Sequence, residues 1–160
     1  MTPQEILREE FALLKEDLIE NHQKLGMKAS GKWINELSDE VIEIGSKLIG
    51  RITGASYTRQ LVDGRRPGKM PPVRMIEEWI KNKGIQALES RLRLSQMAFA
   101  IARKIAQSGT RYYREGGTDL IERVVTPERM QRIIDRVTES VLNDQVDIYV
   151  RELRKLEKAA

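Results

Sequence analysis

The stretch DGRRPGKMPP, from Asp63 to Pro72, constrains the fold more than any other part of the sequence. Proline fixes φ near about −65° and lacks the backbone N–H that helices and central strands use. It also pushes the preceding residue out of the helical region. No helix can cross this stretch, so we expect it to be a stiff, extended connector.

The stretch also carries the glycines and the lysine of a phosphate-binding loop, but their spacing is wrong. That loop reads G-x-x-x-x-G-K-[ST], because its backbone N–H groups wrap around the phosphates and the final hydroxyl holds magnesium. Here three residues separate Gly64 from Gly68, and Met70 stands where the hydroxyl is required. Two prolines then prevent the helix that should follow. We therefore predict no nucleotide site.

A rigid docking turn is the interpretation that these residues favour. Arg65, Arg66 and Lys69 project from a backbone that Pro67 and Gly68 leave with few conformations. Ordering such a loop against a partner costs little conformational entropy. The two prolines at the end of the stretch also position the helix that follows.

The positive charge of the chain is concentrated around this turn. The net charge of +4 divides into −3 for residues 1–63, +9 for residues 64–114 and −2 for residues 115–160. Such a basic block indicates an anionic partner, either nucleic acid or an acidic protein surface. A basic surface kept for solubility remains the alternative.

Several classes of protein are excluded by what the sequence lacks. It has no cysteine, which excludes thiol catalysis, thiolate zinc sites and disulfides. No apolar run approaches the roughly 20 residues that cross a bilayer, and the acidic N-terminus is unlike a signal peptide. We therefore expect a soluble, unprocessed chain without membrane contact.

Candidate catalytic groups are few. The acidic pairs Asp39-Glu40 and Glu77-Glu78 consist of adjacent residues, whose side chains point apart on a helix or a strand. The single histidine, His22, lies away from any set of metal ligands, so we expect a surface residue or a cation at a helix C-terminus. We predict no catalytic residue, no metal site and no cofactor.

The N-terminal part begins with a predicted amphipathic helix. Thr2 and Glu5 have the spacing of a capping box, and Pro3 suits the first helical position. An apolar stripe then predicts a helix over residues 3–25, and Gly26 ends it.

Residues 33–53 fit a β-hairpin and a helix almost equally well by periodicity. The extended reading places Trp33, Asn35 and Leu37 on one face of the first strand and the turn at residues 43–46. Glycines at positions 31, 45, 50 and 54 would each weaken a helix by about 1 kcal/mol. We therefore favour the hairpin.

The C-terminal part is predicted to be mostly helical. A short helix runs from Val73 to Gly84, and a second covers residues 90–108 with Gly109 as its cap. The segment TRYYREGGTD that follows is read as a loop. The last helix starts at Thr126, and its apolar stripe weakens over residues 143–145, which suggests an extended arm.

Together these elements predict an α+β fold. A small antiparallel β-hairpin packs against several helices, between a long N-terminal helix and an extended C-terminal helix. We assign residues 1–125 to an α+β body and residues 126–160 to a C-terminal helical arm.

The segments "YTRQLVDGRRPGKMPPVRMIEEWIKNKGI" and "AFAIARKIAQSGT" resemble the tail-completion proteins of tailed bacteriophages, which join head and tail at the neck. That family shows an aromatic residue, a G-R-x-P-G-x-x-P-P element, a tryptophan helix ending in lysine-glycine and an alanine-rich helix ending in glycine. The resemblance covers roughly residues 1–110. The matching residues are Tyr57, Gly64, Arg65, Pro67, Gly68, Pro71, Pro72, Trp79, Gly84 and Gly109.

The resemblance implies a structural virion protein that forms a homo-oligomeric ring at the head–tail junction, after synthesis in the bacterial cytoplasm. Its partners would be portal or connector proteins and tail proteins, and DNA would pass through the ring. Side-to-side contacts between unlike surfaces close such rings. The sheet is shorter and the segment after Tyr112 is longer than in the family. The resemblance therefore does not indicate which type of phage tail is involved, and the protein could equally form a neck ring of a short-tailed phage.

Under this interpretation the basic residues face acidic surfaces of neighbouring rings or the phosphates of DNA. They are Arg65, Arg66, Lys69, Arg111 and Arg114. The main alternative is a free nucleic-acid-binding or regulatory protein, in which Tyr112-Tyr113, between two arginines, stacks on exposed bases. A hydrolase or nuclease is the weakest alternative.

Overall fold

The computed structural model describes residues 1–85 and 93–159. Two strands, β1 (Ser38–Ile44) and β2 (Lys47–Thr53), form an antiparallel sheet. The helices are α1 (Pro3–Lys24), α2 (Lys32–Glu36), α3 (Thr58–Val62), α4 (Val73–Lys83), α5 (Leu94–Ser108), α6 (Arg111–Arg114) and α7 (Pro127–Ala159). The predicted α+β class, with long helices at both ends, is confirmed.

The chain divides into two compact units. Unit 1 comprises Met1–Glu16, Asp39–Ile52 and Val125–Ala160, and unit 2 comprises Asp17–Ser38 and Thr53–Val124. Unit 1 therefore holds the start of α1, most of the hairpin and α7. Unit 2 holds the proline-rich stretch together with the helices on either side of it.

The predicted capping box at the start of α1 is present. The Glu5 backbone N–H donates to Thr2 Oγ1 (3.2 Å), and the Thr2 N–H donates to Glu5 Oε2 (2.8 Å). Hydrogen bonds that the Glu5 carboxyl accepts from the Thr2 backbone and side chain lower the pKa of this carboxyl. Gly26, with φ of +67°, follows the helix in a conformation that residues with a Cβ rarely adopt.

The hairpin is confirmed over residues 38–53, but its first predicted residues are not strand. Gly45, with φ of +60°, and Ser46 form a two-residue turn, and such turns need a positive φ at their first residue. Glu43 and Ile44, which were predicted to belong to the turn, lie in β1. Trp33 and Asn35 lie in α2 instead of β1. The reason is tertiary, because Trp33 is buried and its indole Nε1–H donates to Thr58 Oγ1 (2.9 Å).

Within unit 1 the hairpin and α7 both contact the start of α1. A Cβ at Gly50 of β2 would lie 2.4 Å from the ring of Phe11, so only glycine lets the ring approach so closely. Lys15 of α1 pairs with Asp39 of β1. Arg136 of α7 donates to Glu9 (3.0 Å) and also to Glu10.

Helix α7 is one continuous helix from Pro127 to Ala159. Thr126 starts it as predicted, since its Oγ1 accepts a hydrogen bond from the Arg129 N–H (3.2 Å). The polar residues 143–145 do not interrupt the helix. The helix therefore continues through residues 143–145, although the apolar stripe weakens at these residues.

In unit 2, α4 packs against α5. Ile80 of α4 and the alanines Ala98 and Ala102 of α5 are fully buried, so small side chains let the two helices pack closely. Trp79 of α4 is 41% exposed. The predicted helix over residues 90–108 is confirmed from Leu94 onward, and its first residues lie outside the described part of the chain.

The expectation of a surface or helix-end cation at His22 is wrong. The ring is 2% exposed and stacks on Trp33, with 4.4 Å between centroids and 10° between planes. Burial, followed by the nearby Lys83 charge, lowers the pKa of the imidazole. Its Nδ1 atom has no hydrogen-bond partner in the described residues, so a proton there would find no acceptor.

Because the folded state disfavours protonated His22, the unfolded state binds this proton more readily. Stability should therefore be complete above the unfolded pKa of about 6.5 and fall as the pH drops below it. Urea unfolding between pH 7.5 and 5.5 measures this loss. His22→Phe, which keeps a flat ring beside Trp33, should lose this part of the pH dependence. Equal pH dependence in both chains would contradict the assignment.

Candidate docking surface

The proline-rich loop is pinned to the end of α5. The Gly68 N–H donates to the Ala106 carbonyl (2.9 Å). The Arg65 N–H donates to Thr110 Oγ1 (2.8 Å), and the Thr110 N–H donates back to the Arg65 carbonyl (2.9 Å). The loop is therefore held by backbone bonds at both of its ends.

Two glycines of the resemblance motif allow this contact. Gly64 has φ of +73°, and a Cβ there would lie 2.1 Å from the Tyr113 nitrogen. Gly109 has φ of +75°, and its Cβ would lie 2.7 Å from the Arg65 carbonyl oxygen and 3.2 Å from Pro67 Cδ. Any side chain at either position would separate the loop from the segment behind it.

The contact continues toward the N-terminal side of the loop. The Thr118 N–H donates to the Val62 carbonyl (2.7 Å), and Thr118 Oγ1–H donates to the Leu61 carbonyl (2.8 Å). The segment between these contacts was predicted as a loop, but it contains the helical turn α6. Thr110 caps this turn by accepting a hydrogen bond from the Tyr113 N–H (3.4 Å). The turn is also held by contacts with the loop, which the sequence pattern does not indicate.

Of the five predicted docking residues, two are used within the chain. The Arg65 side chain donates to the Lys69 carbonyl (2.9 Å) and so closes the loop on itself. Arg111 donates to Glu115 (2.7 Å), and this hydrogen bond raises the pKa of its guanidinium. Part of the positive charge of Arg111 is thus offset within its own helical turn, although both side chains are exposed.

Three other cations are available to a partner. Arg66, Lys69 and Arg114 are exposed and make no ion pair with any described residue. The loop hydrogen bonds place Arg66 and Lys69 over the α5–α6 junction, and Arg114 ends α6. We call these three side chains the cationic cluster.

Sequence reasoning did not name two further basic residues that shortly precede this contact on α5. Arg103 and Lys104 are exposed on α5, just before the Ala106 carbonyl that binds the loop. The concentration of basic residues in this part of the sequence was a signal for them. Assigning them to the docking surface, however, required knowing that the loop binds the C-terminal end of α5.

The remaining motif residues serve the scaffold. Tyr57 precedes α3, and burial followed by Glu36 raises the pKa of its hydroxyl. Pro71 is buried, and Pro72 is the last residue before α4, in the role predicted for the proline pair. Trp79 lies midway along α4, and Gly84, with φ of +66°, ends that helix about 16 Å from its start.

The two tyrosines of α6 differ in exposure. Tyr112 is partly buried, which raises the pKa of its hydroxyl, whereas Tyr113 is 44% exposed. A stacking surface for bases would thus have one ring available here instead of the predicted pair. Among the described residues, no group of three or more acidic or histidine side chains could hold a metal ion.

Comparisons with family models, with curated proteins and with solved structures found no match. In residues 1–85 and 93–159 no helix is long and apolar enough to span a membrane.

The contact at Gly64 can be tested against a glycine that shares its backbone conformation. Gly84→Ala meets no atom of the described residues within 4 Å and should lose about 1 kcal/mol, the cost of a left-handed residue. Gly64→Ala should lose about 2–4 kcal/mol, because the clash with Tyr113 adds to that strain. Urea unfolding measures both. Equal losses would show that Tyr113 does not constrain the loop.

Proposed function

We propose that this chain is a structural component of a tailed-bacteriophage neck, forming a ring between the portal-side connector and the tail. The sequence resemblance supplies the family, and the geometry of the loop agrees with a docking role. The observation that carries the proposal is the pinned loop, since several residues of the resemblance motif are used together in one contact. Gly64, Pro67 and Gly109 all take part in it.

The loop is suited to repeated docking between rigid parts. Its backbone is fixed by the reciprocal bonds between Arg65 and Thr110, so binding orders little additional chain. The cationic cluster then presents charges that have no internal partner in the described residues. Acidic surfaces of neighbouring ring proteins and DNA phosphates both match this chemistry.

Contact with DNA in such a ring would be limited to phosphates. The cluster consists of arginine and lysine side chains, which neutralise phosphate charge without reading sequence. Weak, salt-dependent contact is what a DNA path requires, because the genome has to move through it.

One observation supports a second candidate function. Tyr113 is exposed within α6, the turn that Arg114 ends, as in a small platform for stacking on single-stranded nucleic acid. A free nucleic-acid-binding protein would therefore use the same surface. The two functions predict different affinities of the purified protein for DNA, since a neck subunit has no need to bind DNA tightly on its own.

The docking role is tested by charge reversal that spares Arg65. Arg66→Glu with Lys69→Glu should stop head–tail joining, so that heads and tails accumulate separately in a phage whose own copy has been inactivated. The matched control is Lys28→Glu with Lys47→Glu, which makes the same change in net charge at exposed lysines without ion pairs to described residues. Electron microscopy of lysates and infectious titre measure the result. Normal joining by the loop variant would refute the docking role.

Filter binding across a range of salt concentrations separates the two functions. For the neck component we expect weak binding of single-stranded DNA by the purified protein at physiological salt. Tight binding, with a salt dependence that falls by about two counterions in the loop variant, would instead favour the nucleic-acid-binding protein.

A further inference from the structure

The second half of α7 has no neighbour in the described chain. Every residue from 141 to 157 is exposed. Large apolar side chains nevertheless occur throughout it, and the exposed fraction of five of them ranges from 57% at Val146 to 68% at Leu156. Burying such side chains is the main source of binding free energy, so an apolar helix left in water indicates a missing partner.

The spacing of these side chains indicates what kind of partner is missing. Leu142, Val146, Tyr149, Leu153 and Leu156 follow one another at intervals of four, three, four and three residues. This is the a/d spacing of a coiled coil, and it places the five side chains in one narrow stripe along the helix. A stripe of this width fits a second helix better than a flat surface or a pocket. We call these five residues the arm stripe.

The charge along the arm favours a second copy in the opposite direction. Residues 139–149 carry −3 with no basic residue, whereas residues 150–158 carry +2. Two copies side by side in antiparallel orientation bring each acidic half beside a basic half. Two parallel copies would instead bring like halves together and place Glu152 of one copy beside Glu157 of the other, in the g-to-e′ relation.

We propose that four residues of the arm stripe, from Leu142 to Leu153, pair with the same four residues of a second copy of this chain as a short antiparallel coiled coil. Leu156 lies beyond these layers, beside Glu139 of the second copy. In antiparallel pairs an a position faces a d position, which puts Leu142 beside Leu153 of the second copy and Val146 beside Tyr149. Both contacts occur twice because the pair is twofold symmetric. The stripe is only about two heptads long, so we expect weak pairing that is visible only at high protein concentration.

This inference uses α7 alone and does not rest on the proposed neck function. Unit 2, with its cationic cluster, contributes no residue to the pairing. The result of the pairing experiment therefore leaves the docking role of the loop to its own test.

Engineered cysteines test the orientation, because the chain has none of its own. We expect a mixture of Leu142→Cys and Leu153→Cys chains to form mixed disulfides on mild oxidation and to form few disulfides between identical chains. In the proposed pair, identical positions lie about 16 Å apart along the axis, since eleven residues separate them. Mass spectrometry of the intact products distinguishes the species. Disulfides between identical chains would overturn the antiparallel arrangement.

Asp144→Cys and Arg151→Cys provide the matched control. These positions have the same relation along the axis in the antiparallel register, but they lie on the face opposite the stripe. They should form few mixed disulfides. Equal yields for the stripe and control pairs would mean random collision and would overturn the proposal.

Sedimentation equilibrium of the full chain supplies a second measurement. The unmodified protein should show a monomer–dimer equilibrium, and Leu153→Glu should shift it toward monomer. Because Leu153 is exposed in the single chain, this change should leave the helix content and the unfolding midpoint unchanged at concentrations at which both proteins are monomeric. A purely monomeric unmodified protein over the full concentration range would overturn the proposal.

Discussion

The reciprocal pair of hydrogen bonds between Arg65 and Thr110 is the constraint on which unit 2 depends. A proline-rich connector has few backbone donors, so it cannot organise itself into regular structure. It is organised instead by the end of α5 and by α6, which supply Ala106, Thr110 and Tyr113 as partners. The stiffness expected of the loop is therefore only partly intrinsic. Much of it comes from a segment about forty residues further along the chain.

This arrangement decides which positive charges can act outside the molecule. Nothing in the sequence distinguishes Arg65 and Arg111 from the other basic residues of the central block. In the structure each donates a hydrogen bond within the chain, Arg65 to the Lys69 carbonyl and Arg111 to Glu115. The Glu115 carboxylate offsets part of the charge of Arg111, whereas the neutral Lys69 carbonyl holds the Arg65 side chain against the loop without reducing its charge. What the loop presents is thus a smaller and better-defined cluster than the charge count of the central block indicated.

The parts that the sequence predicted correctly are those determined by nearby residues. The capping box of Thr2 and the glycine turn at Gly45 each depend on residues a few positions apart, and both appear in the structure. The burial of His22 could not be predicted in this way, because it depends on Trp33 and on the elements around both rings. Helix α6 escaped detection for the same reason, since its residues are polar and its place is determined by the loop that packs on it.

The two halves of α7 show why an apolar pattern alone does not identify its partner. In the first half, Ile133 is buried within the chain and Arg136 is held by acidic side chains of α1. In the second half the stripe begins at Leu142, nine residues after Ile133, and no described residue covers it. At 3.6 residues per turn this spacing is half a turn out of phase, and this shift of phase directs the two apolar stripes to different sides of the helix. The shift is what would be needed for one helix to pack against its own chain and then against another molecule.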